Sequence, residues 1–285
     1  MGLKIWLNDK LVDESEAKIS VFDHGLLYGD GVFEGIRVYN GKIFELDAHL
    51  KRLYDSAKVV RLAVPMEMKE LIAATCQTVK TNNIDNGYIR LVVTRGTGTL
   101  GLNPFICKKP QIFIIADKIQ LYSEETYEHG LKVISATTVR NHPLGIPPQI
   151  KSLNYLNNIL AKIEALDQNM PEAIMYNHEG FVAEGTGENV FIIRNGVVYA
   201  PPAEAGSLEG ITRAIVIKLA EKENLKVVEK NLTRFDLYVA EEFFLTGTAA
   251  EVIGVVEIDG RMIGDGKVGP ITKRLRERFF EYARS

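Results

Sequence analysis

Cysteine is scarce in this 285-residue sequence, which excludes folds held together by several disulfides or by a cysteine-bound zinc ion. Cys76 and Cys107 lie far apart, so they provide neither a disulfide framework nor the spacing of a zinc site, and we expect a reducing cytoplasmic environment. No apolar run approaches the roughly 20 residues that a membrane span requires, and the N-terminal MGLKIWLNDK has no apolar signal segment. The net charge of −3 gives no reason to expect nucleic acid or an anionic membrane as a partner.

Motifs of several common enzyme classes are also missing. No serine lies in the G-x-S-x-G pattern of a hydrolase nucleophile elbow. The segment GTGTLG at 96–101 matches G-x-G-x-x-G, but Asn103 and Pro104 follow where a dinucleotide-binding helix has to begin. The five histidines are scattered, and Asp47 and His49 have no further ligand nearby in the sequence, so we expect no metal site.

Hydrophobic periodicity and turn signals predict a mixture of helices and strands. Strands are predicted at 3–7, 18–22, 88–95, 111–117, 131–138 and around 173–199, and helices at 47–60, 67–82, 211–223 and from Pro270. Hairpins are predicted to turn at Asn40-Gly41, Asn195-Gly196 and Asp259-Gly260, whose residue types tolerate positive φ. This order is not a regular βαβ winding, so the fold class is α+β or mixed α/β.

The polar segment 118–130 shows no periodicity and is interpreted as an interdomain connection. It divides the chain into a small N-terminal α/β domain at 1–117 and a larger C-terminal α/β domain at 131–285.

One lysine, Lys151, lies where an extended segment meets a predicted helix. Pro147 and Pro148 favour the extended approach. Apolar residues then recur at steps of three and four along one helix face, namely Leu153, Leu156, Ile159, Leu160, Ile163 and Leu166. A lysine held beside a buried helix loses hydration and its pKa falls, which makes it a nucleophile. The alternative is a solvated lysine, and this stretch alone favours the alternative.

Three further stretches bear polar groups that fit a phosphorylated aromatic aldehyde. Glu184 in VAEGTGENVF follows an apolar segment, and a buried carboxylate needs a cation. A protonated pyridine nitrogen about 4 Å away would attract it by roughly 4 kcal/mol at an effective dielectric near 20, although an arginine would serve equally well. The N-terminus of the helix in LEGITRAIVIKLAEK suits a phosphate, and the strand end in FFLTGTAAE suits an anion. The alternative for the first of these two stretches is a plain capped helix, and the alternative for the second is a tight turn.

The combination of segments resembles the fold-type IV pyridoxal-phosphate enzymes, and within them the branched-chain amino acid aminotransferases. The matching segments follow the family's order over nearly the whole chain: YGDGVFEGIRVY, HLKRLYDSAK, YIRLVVTRG, GLNP, IKSLNYLNN, EGTGENVF, GITR and TGTAAE. The resemblance implies two domains with pyridoxal 5′-phosphate in the cleft between them. It also implies a homodimer or a higher homo-oligomer, in which a neighbouring copy completes the substrate pocket.

The resemblance also implies roles for individual residues. Lys151 matches the catalytic Schiff-base lysine, Tyr155 the partner of the cofactor's phenolic oxygen, and Glu184 the partner of its pyridine nitrogen. The residues implied to bind the cofactor are Arg52, Lys151, Tyr155, Glu184, Gly187, Glu188, Asn189, Leu208, Gly210, Ile211, Thr212, Gly247 and Thr248. Those implied to bind the substrate are Tyr28, Phe33, Gly35, Arg37, Tyr88, Arg90, Thr248, Ala249 and Ala250.

The activity that follows is transamination of leucine, isoleucine and valine, with 2-oxoglutarate as amino acceptor. The substrates are then L-amino acids and 2-oxo acids, and Lys151 moves a proton from the amino acid's Cα to the cofactor. D-amino acid transamination and aminodeoxychorismate lysis are the alternatives within the fold type. D-specific members carry an arginine and a histidine in a segment like RGTSPRxH, and the segment after Arg95 has neither. A cofactor-free binding protein and a nucleotide-dependent oxidoreductase are the alternatives from other classes, and both require Lys151 and Glu184 to be inert.

Overall fold

The computed structural model describes residues 2–119 and 121–285, and the chain separates into two compact units. The N-terminal unit comprises Met1–Ile119 and Ile150–Asn154, and the C-terminal unit comprises Gln120–Gln149 and Tyr155–Ser285. The sequence assigned Lys151 to the C-terminal domain, but its segment packs in the N-terminal unit. The backbone explains this, because the Phe33 amide donates to the Lys151 carbonyl at 3.0 Å and the Leu153 amide donates to the Gly31 carbonyl at 2.9 Å.

The N-terminal unit is an antiparallel sheet with helices packed on it. Its strands are β1 (Lys4–Leu7), β2 (Lys10–Asp13), β3 (Gly31–Tyr39), β4 (Lys42–Ile43), β5 (Gly87–Thr94) and β6 (Gln111–Asp117), and its helices are α1 (His24–Tyr28), α2 (Leu46–Val59) and α3 (Met68–Thr81). The strand order is β2-β1-β6-β5-β3-β4. Leu50 and Leu53 of α2 and Leu71 of α3 are fully buried against apolar side chains of the sheet. A reciprocal capping box between Glu67 and Glu70 begins α3.

The strand predicted at 18–22 is wrong, and a strand at Lys10–Asp13 replaces it in the sheet. Residues 18–22 contain β-branched and aromatic types, but Val21 and Phe22 are exposed and no strand forms there. Asp23 then begins α1 by accepting a hydrogen bond from the Gly25 amide. Pairing with β1 therefore decided which segment forms the edge strand of the sheet, and the strand propensity of residues 18–22 did not.

The C-terminal unit is a larger mixed sheet with helices. Its strands are β7 (Leu131–Ser135), β8 (Glu172–Tyr176), β9 (Val182–Gly185), β10 (Asn189–Arg194), β11 (Val197–Ala200), β12 (Lys226–Glu229), β13 (Glu242–Gly247), β14 (Glu251–Ile258) and β15 (Arg261–Met262). Its helices are α4 (Glu124–His129), α5 (Leu156–Asp167), α6 (Ile211–Lys222), α7 (Arg234–Tyr238) and α8 (Pro270–Arg284). The order is β12-β11-β10-β13-β14-β7-β8-β9, with β15 beside β14. The mixed α/β fold class is therefore confirmed.

The second half of the predicted connection at 118–130 forms a helix, which its lack of periodicity did not indicate. The Ser123 hydroxyl accepts from the Thr126 amide and begins α4, whose Tyr127 is buried. The strand predicted to run to residue 138 ends at Ser135, because the Glu164 carboxylate accepts the amides of Thr137 and Thr138 instead.

The helix that follows Lys151 is present, but its large apolar face is not buried as predicted. Ala161 and Ala165 of α5 are fully buried, and α5 packs on β8. Small side chains permit this close approach to the sheet. The large apolar side chains point outward and are between 47% and 62% exposed: Leu156, Ile159, Leu160, Ile163 and Leu166. We call these five residues the α5 apolar face.

Candidate functional site

Lys151 is held by its backbone on the N-terminal unit. Its amide donates to the Ser56 hydroxyl of α2 at 3.2 Å, and its carbonyl accepts from Phe33 of β3. Its Nζ lies 4.6 Å from the centre of the Phe33 ring, where the π-electrons attract a cation. The backbone of Lys151 is thus held between a strand and a helix. The extended approach predicted from the two prolines is not found, because residues 148–150 form a turn and a bend.

The predicted substrate residues of β3 and β5 share one face of the sheet. Alternate residues of a strand point to the same side, and the register pairs Gly35 with Arg90 and Arg37 with Tyr88. The Arg90 guanidinium lies 4.5 Å from the centre of the Phe33 ring and 5.6 Å from that of Tyr88. Gly35 lies under the Tyr88 hydroxyl, and a methyl group at position 35 would collide with it. The structure therefore brings together on one sheet face the sequence-predicted residues Phe33, Gly35, Arg37, Tyr88 and Arg90, of which Phe33 contacts Lys151.

Tyr28, the remaining predicted substrate residue of this unit, ends α1 and is 38% exposed. Its ring packs edge-on against His24 with the ring centres 4.9 Å apart.

On the opposite face of β3, Glu34 holds a histidine and an arginine of α2. Glu34 Oε1 accepts from Arg52 Nε at 2.8 Å, and Oε2 accepts from Arg52 Nη2 at 2.8 Å and from His49 Nδ1 at 2.7 Å. His49 and Arg52 lie one helical turn apart, so both reach the same carboxylate. Burial disfavours the charged carboxylate, but Arg52 and His49 outweigh that effect and lower the pKa of Glu34 to about 2.

His49 is buried and neutral near pH 7. Burial, assisted by the nearby charges of Arg52 and Lys151, lowers the pKa of His49, while Glu34 acts in the opposite direction. Its Nε2 is buried and has no hydrogen-bond partner among residues 2–119 and 121–285.

In the C-terminal unit, the Glu184 carboxylate is paired with Arg140. Glu184 Oε1 accepts from Arg140 Nε at 3.0 Å and Nη2 at 2.8 Å, and Oε2 accepts from the Leu208 amide at 2.9 Å. Both side chains of the pair are about 6% exposed. An arginine is the alternative cation expected from the sequence beside Glu184, and Arg140 is that arginine. A carboxylate has about four acceptor positions, so a further donor can still bind at Oε2.

The loop before α6 presents backbone amides next to Asn189. Asn189 Nδ2 donates to the Leu208 carbonyl at 2.8 Å, and its Oδ1 lies against Gly210, where any side chain would collide with it. Gly210 is the N-cap of α6 without a side-chain cap, and Ile211 begins the helix. Thr212 is buried in the first turn. The uncapped N-terminus of a twelve-residue helix offers N–H groups to an anion.

The predicted anion-binding loop joins β13 to β14. Gly247 lies beside the Gly187 carbonyl and the Glu188 side chain, so any side chain at 247 would press on that turn. Glu251, directly after the loop, has φ of 59° although it is not glycine. Such a backbone is strained by about 1–3 kcal/mol. Thr248 and Ala249 are half-buried, and the buried Ala250 accepts from the Tyr127 hydroxyl at 3.2 Å.

Glu188 and Tyr155, two predicted cofactor residues, have local structural contacts. Burial and the adjacent Glu172 carboxylate raise the pKa of Glu188 well above its usual range. Its Oε2 accepts from the Gly187 amide at 3.1 Å. Tyr155 is the half-buried N-cap of α5, and its carbonyl accepts from the Ile159 amide.

Sequence reasoning missed four residues at these sites: Glu34, Arg140, Ser207 and Thr246. The side-chain hydroxyls of Ser207 and Thr246 are buried and lack hydrogen-bond partners within the described part of the chain. Ser207 directly precedes the predicted residue Leu208, and Thr246 directly precedes Gly247, so adjacency is a signal that could have identified both. No sequence signal pointed to Arg140, which lies 44 positions before Glu184. Among residues 2–119 and 121–285, no group of three or more acidic, histidine or cysteine side chains could hold a metal ion.

Comparisons with known proteins place these sites in a family. The family model described as amino-transferase class IV matches residues 31–258. A putative branched-chain-amino-acid aminotransferase of Methanocaldococcus jannaschii is 53% identical over 279 residues, covering 97% of this chain and 95% of the relative. The branched-chain-amino-acid aminotransferase of Pseudomonas aeruginosa is 40% identical over 282 residues, covering 97% and 92%.

Solved structures agree with the sequence comparisons. The branched-chain amino acid aminotransferase of Escherichia coli superposes with a TM-score of 0.96 at 36% identity, covering 99% of this chain and 95% of that one. The branched-chain amino acid aminotransferase of Thermobaculum terrenum, solved in its PLP-bound holo-form, has a TM-score of 0.89 at 32% identity and covers 100% and 95%.

Proposed function

Because the chain belongs to the class IV aminotransferases, a fold-type IV family, we propose that it transaminates branched-chain L-amino acids with 2-oxoglutarate as acceptor. Its cofactor is pyridoxal 5′-phosphate. The observation that best supports the proposal is the set of side chains around Lys151, where Phe33, Arg90 and Tyr88 share one sheet face.

The residues present fit this cofactor. The hydroxyls of Ser207 and Thr246 are buried without hydrogen-bond partners within the described part of the chain, and Glu184 Oε2 can accept a further hydrogen bond. A ligand with a phosphate and a pyridinium would supply partners for such groups. Arg52, Ile211, Thr212 and Thr248 would bind the phosphate. Glu184 would bind the pyridine nitrogen, and Tyr155 the phenolic oxygen. The remaining predicted contacts, which include Gly187, Glu188, Asn189, Leu208, Gly210 and Gly247, stay predictions.

When bound, the cofactor supplies an electron sink that stabilises negative charge on the substrate's Cα. Lys151 would carry the cofactor and move the Cα proton. Arg140 orients the Glu184 carboxylate, which would face and stabilise a cation on the pyridine nitrogen.

The substrate preference is proposed from the sheet face beside Lys151. Phe33 and Tyr88 offer aromatic surface to a branched aliphatic side chain, and Arg37 and Arg90 offer cations to a carboxylate. Ala249 and Ala250 would bind near the substrate carboxylate, and Tyr28 near its side chain.

We also propose that the chain forms a homodimer or a higher homo-oligomer. The α5 apolar face exposes five large apolar side chains in a contiguous stripe, and such stripes mark interaction surfaces.

No helix among the described residues is long and apolar enough to cross a membrane. A cytoplasmic location is proposed from the unpaired cysteines Cys76 and Cys107.

Steady-state kinetics of Lys151→Ala test the catalytic role. The variant should fold, bind the cofactor non-covalently and lose transamination of L-leucine, because no side chain remains to move the proton. Lys42→Ala, at an exposed lysine of β4 in the same unit, is the control and should keep normal turnover. Normal turnover by Lys151→Ala would contradict the proposal. Activity of the wild type on D-alanine but not on L-leucine would favour the D-specific alternative.

A further inference from the structure

The His49 imidazole is buried with one of its nitrogen atoms unsatisfied. Nδ1 lies 2.7 Å from Glu34 Oε2. Ionised Glu34 only accepts hydrogen bonds, so Nδ1 carries the hydrogen and Nε2 carries a lone pair. That lone pair is buried and has no partner within residues 2–119 and 121–285. A buried acceptor without a donor lacks the hydrogen bond that it would form with water, so this state of His49 is unfavourable.

The same carboxylate oxygen that holds His49 also holds Arg52. Glu34 Oε2 accepts from Arg52 Nη2 at 2.8 Å, so the imidazole and the guanidinium are neighbours. The charged groups that act on His49 are Glu34 from β3, Arg52 from its own helix, and Lys151 from the segment 150–154. The two cations and burial oppose a proton on His49, and Glu34 favours it.

We propose that His49 takes up a proton from solvent when the phosphate of the cofactor binds at Arg52, and that it remains an imidazolium in the complex. This inference rests on the proposed function, which assigns the phosphate to Arg52. In the step, the Nε2 lone pair of the neutral imidazole forms an N–H bond to a proton of a solvent hydronium ion, whose O–H bond breaks and which leaves as water. The unsatisfied acceptor thereby becomes a donor.

Charge balance is the physical reason for the uptake. Without the phosphate, Glu34 and Arg52 neutralise each other, and the charges of Arg52 and Lys151 disfavour a further cation at His49. A phosphate carries nearly two negative charges at neutral pH. Its arrival at Arg52 adds negative charge near His49, and an adjacent anion raises the pKa of a histidine. His49 is thus a positioning residue that becomes charged only when the anion is bound.

Nitrogen-15 NMR of histidine-labelled protein tests this directly. The chain has five histidines, so the spectrum is simple, and the spectrum of His49→Asn assigns the His49 signals. The titration of Nε2 is followed against pH in the cofactor-free protein and with saturating pyridoxamine 5′-phosphate, which has no aldehyde to react with Lys151. We expect the titration midpoint to move upward by about one unit or more on binding, as for a histidine that gains an anionic neighbour.

Pyridoxamine without the phosphate is the matched control ligand. It has the same ring and amine, so it should leave the His49 titration unchanged. An unchanged midpoint with bound pyridoxamine 5′-phosphate would overturn this inference and leave the proposed function intact. An equal shift with pyridoxamine would also overturn it, because the phosphate would then not be the cause. If pyridoxamine 5′-phosphate does not bind at all, the proposed function fails together with the inference.

A variant tests the consequence for affinity. His49→Asn keeps a donor near the position of Nδ1 for Glu34 but has no group at Nε2. Between pH 7 and 8 the phosphate itself is dianionic, and we expect the variant to bind pyridoxamine 5′-phosphate about tenfold more weakly, because it lacks the positive charge that His49 gains near the phosphate. His129→Asn, at an exposed histidine that ends α4, is the control. Equal affinities of His49→Asn and the wild type would contradict the inference.

Discussion

At the scale of single residues, the two carboxylates near the proposed cofactor contacts are both buried against an arginine. Glu34 binds Arg52 and His49, and Glu184 binds Arg140. Arg52 donates to both oxygens of Glu34, which fixes the direction of both groups. Both Arg140 nitrogens instead contact Oε1 of Glu184, whose Oε2 is held by the Leu208 amide. Each pair therefore holds its ligand-binding group in one orientation before any ligand arrives.

Removing Arg140 should destabilise the protein strongly. Arg140→Met leaves the buried Glu184 charge without its partner, and breaking such a pair costs about 3–5 kcal/mol. Urea denaturation measures the free energy of unfolding. Lys132→Met is the matched control, because its ion pair with Glu257 at 2.9 Å is exposed on the lysine side and should contribute less than about 1 kcal/mol. Equal losses in the two variants would show that the buried pair is not important for stability.

Glu34 should make the stability depend on pH in acid. Its pKa is about 2 in the folded protein and near 4.5 in the unfolded chain, so its stabilisation is present above pH 4.5 and is lost as the pH falls towards 2. A shift of this size corresponds to about 3 kcal/mol. Glu34→Gln should be less stable than the wild type at pH 6, and the difference should shrink by about that amount at pH 2 to 3. A difference that stays constant with pH, measured by chemical denaturation, would contradict the assignment.

At the scale of elements, the paired strands β3 and β5 position most of the proposed substrate contacts. Gly35 has no side chain, which lets Tyr88 lie across β3, and the Arg90 guanidinium then packs on Phe33. The strand pairing thus converts residues that are distant in sequence into one surface.

Gly35→Ala should disturb this surface. The added methyl group collides with the Tyr88 hydroxyl, and overpacking of this kind costs about 1–3 kcal/mol. We expect a higher KM for L-leucine together with a lower melting temperature. Gly101→Ala is the control, since open space surrounds Gly101. A wild-type KM in Gly35→Ala would show that the position of Tyr88 does not affect substrate binding.

Local signals in the sequence predicted most elements, and long-range contacts decided the rest. The positive φ of Asn40, Asn195 and Asp259 and the hairpins around them are confirmed, because turn chemistry is local. The helices α2, α3, α6 and α8 lie within about two residues of the predicted bounds, because amphipathic periodicity is local as well. The strand at 18–22 and the burial of the α5 apolar face are wrong, since both depend on which distant segment provides a partner. The Glu34–His49 and Glu184–Arg140 contacts were not predictable for the same reason.

At the scale of the whole molecule, the α5 apolar face is an exposed surface that we propose binds a second copy of the chain. Leu160→Glu places a charge in the middle of the stripe and should shift the protein towards monomer in light scattering coupled to size-exclusion chromatography, because burying the charge opposes association. Leu144→Glu is the control, since Leu144 is 92% exposed and lies outside α5. An unchanged molar mass for Leu160→Glu would place the self-association surface elsewhere.

The most direct test of the proposed function is the half-reaction without an amino acceptor. Pyridoxal-phosphate-loaded protein is mixed with L-leucine or D-leucine, and the pyridoxamine 5′-phosphate and 4-methyl-2-oxopentanoate formed are quantified by mass spectrometry. The proposed function predicts equimolar formation of both products, one of each per active site, with L-leucine and none with D-leucine or with the Lys151→Ala protein. Formation of neither product from L-leucine would contradict it.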